Sequence, residues 1–224
     1  MNYSNKIRAV IFDLDGVIVK TDRLHYLAWK RLGDEIGISD FDESDGARQR
    51  GVSRMASLEI LLEKGSRVYS EAEKVCLADR KNSYYSELLG TLDGSAILPG
   101  INELISYLKV REIKIAVGSV SRNTKYILER AGLSDCFDAV VDGYASVRSK
   151  PEPDIFLLAA EKLGVMPRYC AVIEDACAGI EAAKKAGMKS VAVGKAAYAA
   201  GADYYSDSTA FLPDIIRMML ECEQ

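Results

Sequence analysis

Polar residues able to take part in catalysis recur where predicted strands of the 224-residue chain end. The apolar segment 7–12 is followed by two carboxylates, the next strand by a hydroxyl, a later region by an ammonium, and the last by two more carboxylates. These residues are Asp13, Asp15, Ser119, Lys150, Glu174 and Asp175. Because ligands of an open parallel sheet bind beyond the carboxyl ends of its strands, we expect these side chains to share one site.

This set of side chains suits phosphoryl transfer through a carboxylate nucleophile. An anionic aspartate that approaches a phosphoryl group is repelled unless a metal ion and a cation cancel the charge. Asp13 is the predicted nucleophile, and Asp15 is the predicted general acid and base toward the leaving or attacking hydroxyl. The remaining carboxylates, together with Asp13, offer the hard oxygen ligands that Mg²⁺ prefers. The hydroxyl and the ammonium would contact the transferring phosphoryl oxygens.

Each of these residues also has a purely structural explanation. Asp15-Gly16 is a common turn dipeptide. Ser119 and Asp175 could each cap a helix, and Lys150, which precedes a proline, could be a solvated loop cation. Their coincidence at successive strand ends favours the catalytic interpretation.

The elements that must position these residues follow an α/β pattern. After residue 99, helical and strand-like segments alternate, which predicts a parallel sheet with helices on both faces. From about residue 20 to residue 92, apolar residues recur at helical spacing without a convincing strand. We therefore predict a Rossmann-like parallel-sheet core formed by residues 1–19 and 93–224, with an all-helical domain inserted at residues 20–92. The tyrosines of the region 198–205 are expected to serve packing or to lie on the surface.

The composition indicates a globular protein, with 49% hydrophobic and 28% charged residues. A net charge of -4 gives no general attraction for nucleic acid or for an anionic membrane. No apolar run is long enough to span a membrane, and the first residues lack the apolar stretch of a signal peptide. Five cysteines without Cys-x-x-Cys spacing favour reduced thiols. We expect a cytoplasmic protein, and the sequence contains no coiled-coil heptads.

The chemistry-bearing segments resemble the four motifs of the haloacid dehalogenase superfamily, in order and in spacing. The matching segments are Asp13-Leu14-Asp15-Gly16-Val17, Ser119, Lys150-Pro151 and Glu174-Asp175. The helical insertion is similar to the small cap domain of that superfamily. Within the superfamily, the chain is most similar to the β-phosphoglucomutases. That likeness rests on Thr21, His25, Trp29, Gly51-Val52-Ser53-Arg54, Ser57, Arg80-Lys81-Asn82 and Ser119-Val120-Ser121-Arg122-Asn123.

The resemblance implies a role for each matching residue. Asp13 and Asp15 would be catalytic, and one Mg²⁺ would be bound by Asp13, the backbone carbonyl of Asp15, Asp175, and Glu174 directly or through water. The residues expected to bind substrate or phosphate are Thr21, His25, Trp29, Arg50, Gly51, Val52, Arg54, Ser57, Lys81, Ser119, Val120, Ser121, Asn123 and Lys150. Arg54, Ser121 and Asn123 would hold the second phosphate of the substrate.

The reaction implied is the interconversion of β-D-glucose 1-phosphate and glucose 6-phosphate, with glucose 1,6-bisphosphate as intermediate and activator. The resemblance also implies a monomer. Two alternatives stay open: a sugar-phosphate phosphatase on the same scaffold, and a non-catalytic regulator that binds phosphosugars. Four cap residues have structural alternatives too. His25 could be structural, Trp29 a core anchor, Arg54 a surface cation, and Lys81 part of a solvated helix face.

Overall fold

A computed structural model of the protein describes residues 6–49, 52–145, 147–194, 198 and 201–222. Arg50 and Gly51, two of the predicted substrate-binding residues, lie outside these ranges. None of the described helices combines the length and the apolar character needed to cross a membrane.

Six parallel strands form one sheet in the order β3-β2-β1-β4-β5-β6. Their bounds are Ala9–Phe12 (β1), Lys114–Gly118 (β2), Ala139–Val141 (β3), Cys170–Glu174 (β4), Lys189–Val193 (β5) and Tyr204–Ser206 (β6). The central β1 is apolar throughout and buried on both faces, as expected for a parallel strand covered by helices. Phe12 aligns with Val117 on one side and Ile173 on the other, so the residues that follow all three strands meet at one edge.

Helices cover both faces of this sheet. They are Ile101–Val110 (α5), Thr124–Arg130 (α6), Asp154–Leu163 (α7), Cys177–Lys185 (α8) and Leu212–Cys222 (α9). One apolar cluster joins the sheet to α5, α6 and α9, and a second joins the opposite face to α7 and α8. The predicted fold class, a Rossmann-like α/β core, is confirmed.

The inserted segment is helical. Its helices are Asp22–Glu35 (α1), Glu43–Arg48 (α2), Arg54–Leu62 (α3) and Glu71–Leu89 (α4). They enclose an apolar cluster of their own around Trp29, Leu32, Phe41, Leu58 and Leu61. This third cluster is distinct from the two that flank the sheet, although Tyr84 packs against both it and the first of them.

The two linkers between the core and the inserted segment pair with each other. The Leu98 backbone N–H donates to the Ile18 carbonyl at 2.9 Å, and the Lys20 N–H donates to the Ala96 carbonyl at 3.0 Å. Val19 and Ile97 form an antiparallel bridge between these bonds. The domain limits at residues 19–20 and 92–93 stay a prediction, which this pairing of the linkers supports.

Two elements depart from the sequence expectation. The short helix α2 has no apolar periodicity and is stabilised by a capping box between Asp42 and Asp45. The strand β6 lies in the tyrosine-rich region that was expected to provide only packing or surface, and it extends the sheet by pairing with β5. Both elements are too short for a periodic pattern to reveal them.

Candidate active site

Lys150 joins the carboxylates at the ends of the two central strands. Its Nζ lies 2.5 Å from Asp13 Oδ1 and 2.6 Å from Glu174 Oε1. The Lys150 side chain is only 2% exposed, so the interpretation as a solvated loop cation is wrong. Since the strand order reverses between β1 and β4, this cluster occupies the crevice where ligands of such sheets bind.

The cluster carries more carboxylate than its single lysine can neutralise. Burial raises the pKa of Asp13 to about 7, and the neighbouring carboxylates add to the effect while Lys150 opposes it. Burial, with Glu174 and Asp13 nearby, raises the pKa of Asp175 to about 9. Burial alone would lower the pKa of Lys150, but Asp13 and Glu174 raise it above its usual value. The site therefore favours a further positive charge.

The carboxylates of this cluster are hard oxygen ligands of the kind that Mg²⁺ prefers. Gly16 has a φ of +81°, and a Cβ there would lie 2.1 Å from Asp175 Oδ2, so the Asp175 carboxylate lies against the backbone beside Asp15. Within the described ranges no three His, Cys, Asp or Glu side chains form a complete metal cage. Mg²⁺ does not require one, because it is commonly bound by one or two carboxylates and completed by water and phosphate oxygens.

Glu174 is already engaged by protein groups. Its Oε1 contacts Lys150, and its Oε2 accepts a hydrogen bond from the backbone N–H of Ala176 at 2.7 Å. A Cβ on Gly179, in the first turns of α8, would lie 2.0 Å from this carboxyl group. Contact between Glu174 and a metal through water, one of the two predicted modes, agrees with this geometry.

Asp15 is held by the first turn of the inserted segment. The Thr21 hydroxyl donates to Asp15 Oδ1, and His25 Nε2 lies 3.8 Å from the same oxygen. Burial would raise the pKa of Asp15, but His25 and Thr21 outweigh it and lower the pKa below its ordinary value. An ionised Asp15 is suited to accept a proton from a substrate hydroxyl.

Lys81 is buried beside His25, which excludes the solvated-face interpretation for this residue. The Lys81 Nζ lies 2.9 Å from His25 Nδ1 and 4.8 Å from the centre of the Trp29 ring. Burial, and then the charge of Arg54, lowers the pKa of Lys81 to about 7. Arg80, its neighbour, does form an exposed ion pair, with Glu35.

Tyr85 belongs to this cluster and was not predicted. Its ring stacks on that of His25 with centroids 3.9 Å apart, and the Lys81 Nζ lies 4.7 Å from its centre. Tyr85 follows Lys81 by four positions on α4, so the helical spacing that places them on one face was a usable signal.

A second polar cluster lies where the inserted segment meets the core. The side-chain oxygen of Asn82 accepts from Arg54 Nη2 at 2.8 Å and from Asn123 Nδ2 at 3.1 Å. Burial, and then the nearby charge of Arg122, lowers the pKa of Arg54. The positive charge of Arg54, with that of Arg122 nearby, favours an anion at this cluster. Asn82 and Arg122 stand in segments that carried the resemblance, but neither was assigned a role.

Both clusters face one cavity of about 440 Å³. Fourteen predicted site residues line it: Asp13, Asp15, His25, Trp29, Val52, Arg54, Ser57, Lys81, Ser119, Val120, Ser121, Asn123, Lys150 and Asp175. Thr21 and Glu174 do not line it but contact residues that do. Trp29 also belongs to the apolar core of the inserted segment, so its two interpretations are compatible.

The chain belongs to the haloacid dehalogenase-like hydrolase family, whose model matches residues 7–187. It is 48% identical over 199 residues to a β-phosphoglucomutase of Bacillus subtilis, with 88% of each chain covered. It is 34% identical to a phosphorylated carbohydrates phosphatase of Thermotoga maritima, over 83% of this chain and 84% of the relative. The crystal structure of a β-phosphoglucomutase from Clostridium difficile superposes with a TM-score of 0.89 at 42% identity, covering 96% of this chain and 97% of the other. The resemblance predicted from the motifs is confirmed.

Proposed function

We propose that the protein is a β-phosphoglucomutase that interconverts β-D-glucose 1-phosphate and glucose 6-phosphate. The observation that carries this proposal is one cavity lined by two separate groups that can bind phosphate. Lys150 lies beside Asp13 in one group, and Arg54 and Asn123 share Asn82 in the other. A substrate with a phosphate at each end, such as glucose 1,6-bisphosphate, needs both, whereas hydrolysis of a monophosphate needs only the first.

Asp13 is the nucleophile in this proposal, and Lys150 and Ser119 hold the phosphoryl group that it receives and returns. Asp15 takes a proton from the attacking sugar hydroxyl and returns it to the leaving oxygen when the bisphosphate has turned round in the cavity. Mg²⁺, held by Asp13, Asp175 and the Asp15 carbonyl, would supply positive charge that reduces the repulsion between nucleophile and phosphate. The cap excludes water that would otherwise hydrolyse phosphorylated Asp13.

A sugar-phosphate phosphatase is the second candidate, favoured by the 34% identity to a phosphatase that acts on phosphorylated carbohydrates. The intact set of Asp13, Asp15, Lys150 and Asp175 speaks against a non-catalytic regulator. Hexose phosphates are therefore the proposed substrates. The monomeric state and the cytoplasmic location stay predictions. Light scattering would test the monomeric state.

A product assay separates the two enzymes. The protein is incubated with each anomer of glucose 1-phosphate, Mg²⁺ and a trace of glucose 1,6-bisphosphate, and glucose 6-phosphate and free phosphate are both measured. We expect glucose 6-phosphate from the β anomer, and loss of activity by roughly 10⁴-fold in Asp13→Asn. If free phosphate is the main product, the protein is a phosphatase and the mutase proposal is wrong.

A further inference from the structure

Asn82 connects the cap to the core at the second phosphate end of the cavity. It lies in α4, whereas Arg54 begins α3 of the cap and Asn123 directly precedes α6 of the core. One oxygen of Asn82 accepts from both, at 2.8 Å from Arg54 Nη2 and 3.1 Å from Asn123 Nδ2. The two donors come from different domains and meet on a single neutral acceptor.

Because the Asn82 amide is neutral, it does not cancel the positive charge that Arg54 brings to the phosphate site. The Arg54 guanidinium has five N–H groups and the Asn123 amide has two, so each retains donors after contacting Asn82. The Asp79 carboxylate, which is mostly exposed, lies 3.5 Å from Arg54 Nη1. The amide oxygen of Asn82 thus fixes the direction of the guanidinium without cancelling its charge.

We propose that Asn82 is a positioning residue that holds Arg54 and Asn123 at the separation one phosphate group requires. This inference rests on the proposed function, because it assigns the second phosphate of a hexose phosphate to these two donors. Asn82 itself does not react; it acts through Arg54 and Asn123, and it makes the complete second phosphate site depend on contact between cap and core.

The test compares Asn82→Ala and Asn82→Asp with the wild type. For Asn82→Ala we expect the KM for β-glucose 1-phosphate to rise about tenfold with kcat changed less, since ground-state and transition-state binding weaken together. Asn82→Asp keeps an acceptor but adds negative charge, so its KM should rise further. Ser83→Ala, an exposed neighbour on the same helix, is the matched control and should leave both constants unchanged.

Two further readouts separate positioning from a general structural role. Phosphorylation of Asp13 by acetyl phosphate, which carries no second phosphate, should keep its wild-type rate in Asn82→Ala. The KM rise in Arg54→Ala/Asn82→Ala should be smaller than the product of the two single effects, because Asn82 acts partly through the Arg54 guanidinium. An unchanged KM in Asn82→Ala, equal loss with acetyl phosphate, or additive effects in the double variant would each overturn the proposal. If the wild type releases only free phosphate, the mutase proposal fails, and the same KM comparison on that hydrolysis still decides the role of Asn82.

Discussion

Lys81 shows how burial can set the charge of a single residue in this site. Its ammonium group lies between the Trp29 and Tyr85 rings, beside His25, and near the charge of Arg54. These neighbours bring its pKa close to neutrality. A substrate phosphate would favour the charged form, so Lys81 can bind an anion that arrives, although its charge is costly in the empty cavity.

Lys81→Met should raise the melting temperature of the ligand-free protein by a few degrees near pH 6. The pKa of Lys81 falls from 10.5 in the unfolded chain to about 7 in the folded one. Between these values the unfolded chain holds a proton that the folded protein lacks, so wild-type stability rises with pH. The penalty is complete below pH 7 and fades toward pH 10.5, and the gap between variant and wild type should narrow accordingly.

Thermal unfolding at pH 6, 8 and 9.5 measures this gap. Lys109→Met, at an exposed lysine of α5, serves as the control and should change the melting temperature little at any of these pH values. A gap that stays constant or widens with pH would contradict the burial of a charge at Lys81.

At the residue scale, the sequence was most informative for residues directly adjacent to apolar strands. Asp13 and Glu174 were identifiable because they follow buried apolar runs and coincide with polar residues at the ends of other strands. The burial of Lys81 was not predictable, because it depends on contact with His25, which is 56 positions away in the chain. Asn82 shows the same limit, since its partners stand 28 and 41 positions away.

At the scale of elements, the register of β1 with β2 and β4 aligns the ends of the strands. The helix α8 then leaves β4 through a close approach at Gly179, where the Glu174 carboxyl occupies the space of a side chain. This glycine lets α8 begin directly against the catalytic cluster. Its helix position is otherwise favourable for alanine.

Gly179→Ala should reduce kcat/KM by about 100-fold while the protein still folds cooperatively. The added methyl group would displace Glu174 and, through it, Lys150, and misplacement by about 1 Å costs on the order of 10² in rate. Gly94→Ala is the control, because its Cβ would meet no atom closer than 3.8 Å. Steady-state kinetics would compare the activity of both variants, and circular dichroism would compare their folding. Activity of Gly179→Ala within twofold of the wild type would contradict the close contact between residue 179 and the Glu174 carboxyl group.

The sequence predicted the alternation of helices and strands after residue 99, for a physical reason. The strand β1 is uniformly apolar and β4 is apolar up to Glu174, and helices such as α4 carry caps and periodic apolar residues. The helix α2 has a capping box but no apolar periodicity, and the strand β6 is only three residues long. The strand β6 forms because β5 supplies its partner, which a local pattern does not record.

At the scale of the whole molecule, the cavity exists only where cap and core meet. The paired linkers restrict how the cap can move, and Arg130 of α6 reinforces one of them. Its Nε donates to the Leu92 carbonyl at 3.0 Å and its Nη2 to the Gly90 carbonyl at 3.1 Å. These contacts tie the linker that follows α4 to the core.

Arg130→Ala should change kcat and KM together, each by roughly twofold to tenfold, because residues that control closure affect binding and turnover alike. Arg111→Ala is the control, since Arg111 stacks on Tyr107 within the core. Steady-state kinetics with β-glucose 1-phosphate would measure both. If kcat and KM of Arg130→Ala equal those of the wild type, the contacts of Arg130 with this linker do not affect catalysis.

The insertion of a helical domain was predictable, because a single strand before the helices cannot form a sheet by itself. The joint site was predictable only through the resemblance, which paired Arg54 of the cap with Asn123 of the core. No local pattern places these two residues together, since 69 positions separate them.

The most direct test follows a labelled phosphoryl group from phosphorylated Asp13. The protein is phosphorylated, its labelled peptide is mapped, and β-glucose 1-phosphate is then added in a rapid-quench experiment. The account predicts label on Asp13 that passes to glucose 1,6-bisphosphate and glucose 6-phosphate faster than it passes to water. Label on another residue, or its release as free phosphate at a rate that the sugar phosphate does not change, would contradict the account.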